Sequence, residues 1–232
     1  MLPRVRLDLL GGFRIDVDDV SVHLPPGVQR LLALLVLHDS PVRRVHVVGA
    51  LWPDAAEESA HARLRSMLWR LRRLPVALVH AHGAELRFGA GTRVDVRELE
   101  ARARSLQRDP TAPDDLDVAG LGLDLLPDWD DDWLLIERER VRQLRLHVLE
   151  TLAQRLIDAG RAAEAVDPAL TAIAVEPLRE SSHRVLIAAF LAMGNQADAM
   201  RQYHAFARML RDSVGLRPTA SMEQVMAALA YR

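Results

Sequence analysis

Ser59-Ala60-His61-Ala62-Arg63-Leu64-Arg65-Ser66-Met67-Leu68-Trp69-Arg70-Leu71-Arg72-Arg73-Leu74 is the stretch from which the rest of the chain is read. At about 100° per residue, Ala60, Leu64, Met67, Leu68, Leu71 and Leu74 fall on one apolar stripe. Ala62, Arg65, Ser66, Trp69 and Arg73 lie opposite, and Arg63, Arg70 and Arg72 flank the stripe. A helix that buries one face and offers guanidinium groups on the other has the layout of a recognition helix in the DNA major groove. The same periodicity suits a solvated surface helix whose cations bind nothing, so the neighbouring segments decide.

The 232 residues suit one large domain or two of ordinary size, and half of them are hydrophobic, ample for buried cores. With no cysteine, disulfides, thiolate metal sites and cysteine nucleophiles are excluded. All 30 basic residues are arginine, a usage read as codon bias from a GC-rich genome, so arginine alone says little about phosphate binding. Residues 1–95 carry 13 Arg against 10 acidic residues, and residues 96–232 carry 17 against 22. That asymmetry suits a nucleic-acid-binding front half. The N-terminus shows no signal-peptide core, and no apolar run approaches about 18 residues. The expectation is a soluble, cytoplasmic, nucleoid-associated protein with no membrane contact.

Upstream of the arginine stretch, Val5, Leu7 and Leu9 alternate with Arg6 and Asp8 at the period of a half-buried strand. Gly11-Gly12 interrupts, Phe13–Val17 alternates again, and a short strand through Val20 and Val22 follows the Asp18-Asp19 turn, so a small antiparallel sheet is expected. Pro25-Pro26-Gly27 opens a largely buried helix through Gln29–Leu37, stopped by Ser40-Pro41. Val45–Trp52 is a second short helix closed by Pro53-Asp54. Glu57-Glu58-Ser59 then puts acids at the start of the arginine helix, where the helix dipole favours them. Pro75 ends it. Ala77–His80 and Glu85–Phe88 flank Ala81-His82-Gly83-Ala84 as a hairpin with glycine at the turn. Sheet, three helices with the basic one third, and a hairpin spell a winged helix-turn-helix.

Four stretches recur here in order: Leu-Gly-Gly-Phe-Arg-Ile at Leu10–Ile15, Leu-Pro-Pro-Gly-x-Gln-Arg-Leu-Leu-Ala-Leu-Leu at Leu24–Leu35, Ala-Leu-Trp-Pro-Asp at Ala50–Asp54, and the Ser-Ala to Leu-Arg-Arg series at Ser59–Arg73. The series resembles the Streptomyces antibiotic regulatory protein (SARP) family. Its members are transcriptional activators that join a winged helix like that of the response regulators to a bacterial transcriptional activation domain. The resemblance covers nearly the whole chain. Val28 departs from it, standing where the family usually has a basic residue and removing one possible phosphate contact. Trp69 takes an outward position more often small or polar, and Ala62 one where a longer polar residue is common.

In the second half, Val96–Leu106 has helical spacing, and Arg108–Asp115 is turn-rich and reads as a loop. The aspartates of Leu125–Trp133 invite a calcium reading, but the spaced ligands, central glycine and distal glutamate of an EF-hand loop are missing. They read better as acids at the N-terminus of the next helix, with Trp129 and Trp133 packing one turn apart. A long amphipathic helix spans Leu134–Ala159. Gly-x-x-Ala-acid-Ala occurs at Gly160–Ala165 and again 34 residues later at Gly194–Ala199, the tetratricopeptide (TPR) period. Pro168 is expected to kink the first repeat's second helix. Such helix pairs stack and leave a groove. Trp129–Arg140, Glu176–Ser181 and Leu210–Thr219 look very like the family's activation domain. The chain ends soon after, so the ATPase module of larger relatives is not expected within it.

The fold expected is therefore mainly α with a small β component: a winged helix-turn-helix over 1–95, then an all-α TPR-like domain over 96–232. Base edges fall to Arg65, Ser66, Trp69 and Arg73, with Trp69 either touching a thymine methyl or packing on the wing or the second domain. Phosphates and backbone fall to Arg30, Arg63, Arg70 and Arg72, and to His80, His82 and Arg87 of the wing. A phosphate-binding loop needs a lysine the chain lacks, and no His-Glu-x-x-His pair or Gly-x-Ser-x-Gly elbow occurs. His80 and His82 have no third ligand in sequence reach. No enzyme, metal or cofactor is expected. The resemblance implies side-by-side protomers on direct repeats of double-stranded DNA, dimeric there, with RNA polymerase contacted through the helical domain. Two other readings stay open: an adaptor whose winged helix no longer binds DNA, and a regulator sensing a small ligand or peptide in the TPR-like groove.

Overall fold

The structure, a computed structural model, describes residues 3–109 and 117–230, with side chains as far as Val225. Most of the loop read over 108–115 lies outside the described residues. In order come β1 (Val5–Asp8), β2 (Arg14–Val17), β3 (Val20–Ser21), α1 (Pro26–Leu37), β4 (Val42–Arg43), α2 (Arg44–Leu51), α3 (Glu57–Leu71), β5 (Val79–His82), β6 (Glu85–Phe88) and β7 (Thr92–Val94). Helices follow: α4 (Asp95–Arg108), α5 (Val118–Leu121), α6 (Leu134–Asp158), α7 (Val166–Val175), α8 (Glu180–Ala192), α9 (Gln196–Val214) and α10 (Ala220–Ala230). The chain divides into two compact units. The first holds residues up to Glu98 together with Asp124–Glu139, and the second holds Leu99–Leu123 and the chain from Arg140. The boundary expected at 95/96 falls three residues short of this division, and the first unit also takes in a returning segment.

At the centre of the first unit is α1. Proline in its first turn suits positions whose N–H groups have no intrahelical partner, and every residue from Leu31 to Leu37 is buried. Val28, 2% exposed, belongs to the same core, so this position serves packing and offers nothing to a phosphate. A helix apolar on all sides must be covered on all sides, and α2, α3 and β6 supply the cover.

Val5 to Asp8 of β1 pair antiparallel with Val17 to Arg14 of β2, as expected. Sequence reading missed β7, which joins the other edge of β1 in parallel, and β4, which pairs Val42 with Leu86 and makes the wing three-stranded. Both are too short to show a period of two. The helix α3 stops at Leu71, and single turns carry the chain on towards Pro75.

The Asp95 carboxylate accepts the amides of Leu9 and Leu10 at 2.7 Å each and that of Val96 at 2.7 Å, tying the end of β1 to the start of α4. Burial pushes this carboxyl above its ordinary value, against the pull of the Leu10, Leu9 and Val96 amides. The returning segment is stitched on by Leu126 N–H to Leu9 O (2.9 Å) and Gly11 N–H to Asp124 O (2.7 Å). Arg138 adds donors to the carbonyls of Leu125, Leu126 and Trp129. Trp129 stacks on Phe13, with ring centroids 6.0 Å apart. Of the aspartates, Asp131 accepts both its hydrogen bonds from Arg30 Nε, at 2.8 and 3.0 Å.

In the second unit the 34-residue repeat is visible as a repeated helix stop. Gly160 and Gly194 both take left-handed φ, +75° and +77°. Each is followed by the same wide bond, Arg161 N–H to Leu156 O and Asn195 N–H to Phe190 O, at 2.8 Å in both cases. The repeats then diverge. α9 restarts two residues after its glycine, α7 only six after, which puts Pro168 in the first turn of α7 where its missing N–H is harmless. The kink expected there is absent. Leu152, Leu156, Ala165, Ala169 and Leu186 form one core, and Ile187, Ala199, Phe206, Leu210 and Met222 another.

Glu176-Pro177-Leu178-Arg179-Glu180-Ser181 is the polar joint between these cores. Glu176 pairs with Arg142; Arg179 bonds Glu150 (2.8 Å) and Gln143 (2.7 Å); Ser181 and Ser182 donate to Glu150 at 2.6 and 2.7 Å. Glu180 accepts from the backbone and hydroxyl of Thr219. Pro177 O accepts from Nε2 of His183, whose Nδ1 accepts from Gln202 and whose ring stacks on Phe206 at 4.2 Å. Burial outweighs the Pro177 bond and holds the His183 pKa below its ordinary 6.5. Burial of Glu150 raises its pKa, but the bonds from Arg179, Ser181 and Ser182 reverse this and leave it lowered.

Both shifts are downward, so each contribution to stability is present above the unfolded-state pKa and lost as pH falls. Urea unfolding followed by circular dichroism should lose midpoint first between pH 7.5 and 5.5, as the unfolded chain protonates His183. The change over that window should be smaller in His183→Gln.

Candidate nucleic-acid interface

The helices α2 and α3 are joined through a short turn around Trp52–Ala56, and α3 opens with Glu57 and Glu58 in its first turn. Ala60, Leu64, Leu68 and Leu71 are buried on it and Met67 half-buried, as the stripe requires. Met67 packs over Gly27, where a Cβ would lie 2.3 Å from the Met67 methyl, the movable end of a flexible side chain. Ala62, Arg63, Arg65, Ser66, Trp69, Arg70, Arg72 and Arg73 are all exposed. The Arg73 guanidinium carbon stands 4.1 Å from the centroid of the Trp69 ring. Trp69 thus keeps its face outward, stacked with an arginine of the turn that follows its helix.

The wing follows the alternation of its strands. Leu86 and Phe88 point into the core, while His80 opposite Arg87 and His82 opposite Glu85 share the exposed face. The turn is shorter than expected, two residues rather than four, with Gly83 at φ +56°. Next to it Arg43 pairs with Glu85 in register, and Arg44 Nε donates to Gly83 O at 3.3 Å. These two arginines were missed in sequence reading; the signal available was an Arg-Arg pair directly before an apolar helix.

Apart from Arg97 and Arg138, which donate to the backbone carbonyls of Val36 and of Leu125, Leu126 and Trp129, acidic partners sort the arginines of the first unit into two groups. Arg4, Arg6, Arg14, Arg30 and Arg93 pair with Asp19, Asp8, Asp16, Asp131 and Glu98. Among the described residues, Arg43, Arg44, Arg63, Arg65, Arg70, Arg72, Arg73 and Arg87 have no carboxylate partner. Arg30 also lies 5.6 Å from the Trp129 ring centroid, so of the expected phosphate ligands it alone is already held by an acid. Among the described residues no cluster of three or more His, Asp or Glu side chains could hold a metal ion, and no helix is long and apolar enough to cross a membrane.

A family model of the bacterial transcriptional activator domain matches residues 94–230. The chain belongs to that family. Membership places this transcriptional activator domain protein among transcriptional regulators, which are not a class of enzyme. The regulatory protein AfsR of Streptomyces coelicolor is 27% identical over 234 residues, covering 95% of this chain and 24% of that protein. AfsR of Streptomyces griseus is 25% identical over 211 residues, covering 86% and 22%. The chain thus spans about a quarter of the length of these relatives, and the antibiotic-regulator resemblance drawn from its motifs stands. A solved structure of Mycobacterium tuberculosis EmbR in complex with a low-affinity phosphopeptide matches with a TM-score of 0.83 at 20% identity, over 99% of this chain and 66% of that one. This likeness speaks to the fold, a winged helix followed by helical pairs.

The sorting of charges carries a stability test. Arg65→Ala removes an exposed side chain with no acidic partner and should change unfolding free energy by no more than about 0.5 kcal/mol. Arg30→Ala leaves the largely covered Asp131 carboxylate without its donor and should cost about 1–3 kcal/mol. Chemical denaturation of the two variants beside wild type measures the difference.

Proposed function

We propose that the chain is a sequence-selective DNA-binding activator that reads double-stranded DNA with α3. The observation that supports this most is the charge sorting: apart from Arg97 and Arg138, whose guanidinium groups are taken up by backbone carbonyls, the arginines without acidic partners in the first unit are those of α3 and the turn after it, its approach at Arg43 and Arg44, and the wing. Unneutralised guanidinium groups gathered on one helix and an adjoining hairpin suit a polyanion. Arg65, Ser66, Trp69 and Arg73 face base edges, where one bidentate arginine–guanine pair contributes about 1–3 kcal/mol of discrimination. Arg63, Arg70 and Arg72, with His80, His82 and Arg87, take the phosphates and sugar backbone, and we add Arg43 and Arg44 to them. Arg30 leaves that set because Asp131 holds it. Protomers sit side by side, as a dimer on direct repeats about 10–11 base pairs apart. The helical unit supplies the contacts between protomers and to RNA polymerase, and the protein acts in the cytoplasm at the nucleoid.

Fluorescence titration against promoter duplexes of neighbouring genes, at two salt concentrations, tests the proposal. Wild type should bind selectively, Arg65→Ala and Arg73→Ala should lose selectivity, and Arg70→Ala should flatten the salt dependence by about one unit of slope. Salt-insensitive or purely non-specific binding, unchanged in these variants, sinks the proposal and leaves the adaptor as the working reading.

A further inference from the structure

Trp69 is 55% exposed on the outward face of α3. Four residues on, Arg73 lays its guanidinium over the indole at 4.1 Å. The pairing is held by the backbone: Arg73 N–H to Arg70 O (3.1 Å) and Leu74 N–H to Leu71 O (3.2 Å) continue the turn past the end of the helix. Stacking engages the face of the guanidinium and leaves its N–H fork, which lies in the plane, free to donate. Among the described residues no carboxylate competes for that fork.

We propose that Trp69 and Arg73 form one reading unit for a guanine with a thymine stacked directly beside it, an inference that rests on the DNA-reading function above. The arginine fork matches O6 and N7 of guanine. Successive bases on a strand lie about 3.4 Å apart, close to the separation of guanidinium and indole, so with Arg73 on guanine the indole meets the adjacent base. Thymine is the base that offers a methyl group in the major groove, and an exposed indole is the apolar surface to cover it. The stack also restricts the rotamers of Arg73 before DNA arrives, so Trp69 positions the guanine contact as well as making the methyl contact. The tryptophan that departs from the usual small or polar residue thereby becomes a determinant of which operator is read.

Binding-site selection from a random duplex library with the full chain should return sites in which guanine neighbours thymine. Titrations then use duplexes with each such thymine replaced by deoxyuridine, which removes only the methyl. Wild type should weaken about four-fold at the contacted position, the worth of one buried methyl group. Trp69→Ala should bind more weakly, ignore the uridine substitution and prefer guanine over adenine less than wild type does. Trp69→Phe, which keeps an aromatic face and covers the case in which the alanine variant fails to fold, should retain part of both responses. Arg73→Ala should lose the guanine preference. Selective binding indifferent to uridine at every such thymine, or a Trp69→Ala protein with full guanine preference, overturns this inference and leaves the DNA-reading function standing. Failure to select any sequence overturns both.

Discussion

Leu31 to Leu37 leave α1 no side to turn towards water, and the rest of the first unit is arranged to cover it. Burying each leucine contributes about 1.5–3 kcal/mol, so the helix is worth enclosing. Ala60, Leu64, Leu68 and Leu71 close it from α3, and Leu86 and Phe88 close it from the wing. Their partners by periodicity have then only one direction left. Arg65, Trp69 and Arg73 go outward because Leu64, Leu68 and Leu71 go inward, and His80 and Arg87 go outward because Leu86 and Phe88 do not. The candidate interface is the complement of the core. Among the expected base-reading residues, Trp69 is the large apolar side chain turned to solvent.

Charge pairing completes the division of labour. Exposed ion pairs such as Arg4–Asp19 stabilise little, typically under about 1 kcal/mol. Their effect lies in the field: acids cancel the arginines of the sheet and of α1, while α3 and the wing keep theirs. Asp54, Glu57, Glu58 and Glu85 are among the acids left near the uncancelled group, one in the turn before α3, two in its first turn and one on the wing. The positive surface is therefore set by where aspartates stand on other elements, Asp131 above all.

In the second unit a similar economy holds for the motif Glu176–Ser181. Its side chains bind Arg142, Gln143, Glu150 and Thr219, and its Pro177 carbonyl binds His183. Apart from His183 on α8, the partners come from α6 and from the segment before α10, so the motif joins helix pairs rather than presenting a surface.

What the sequence determined alone was whatever one periodicity reports. The apolar stripe of α3, the all-round burial of α1, the alternation of β1, β2 and the wing, and the 34-residue glycine spacing each lie within a single segment, where local geometry dictates which side chains share a face. The arginines expected on the outer face are all exposed, Arg63, Arg65 and Arg70 on α3 and Arg72 and Arg73 in the turn after it. Contacts between distant segments left no such trace. Two-residue β4 and three-residue β7 exist because a partner strand is already in place. Pro168 is harmless because α7 starts late, and Val28 faces the core because α1 is enclosed. Arg30 looked like its neighbours until Asp131, 101 residues away, took its guanidinium. Which cations stay free for an anion, and which aromatic one of them stacks on, are properties of pairs that meet only on folding, and the tertiary structure decided them.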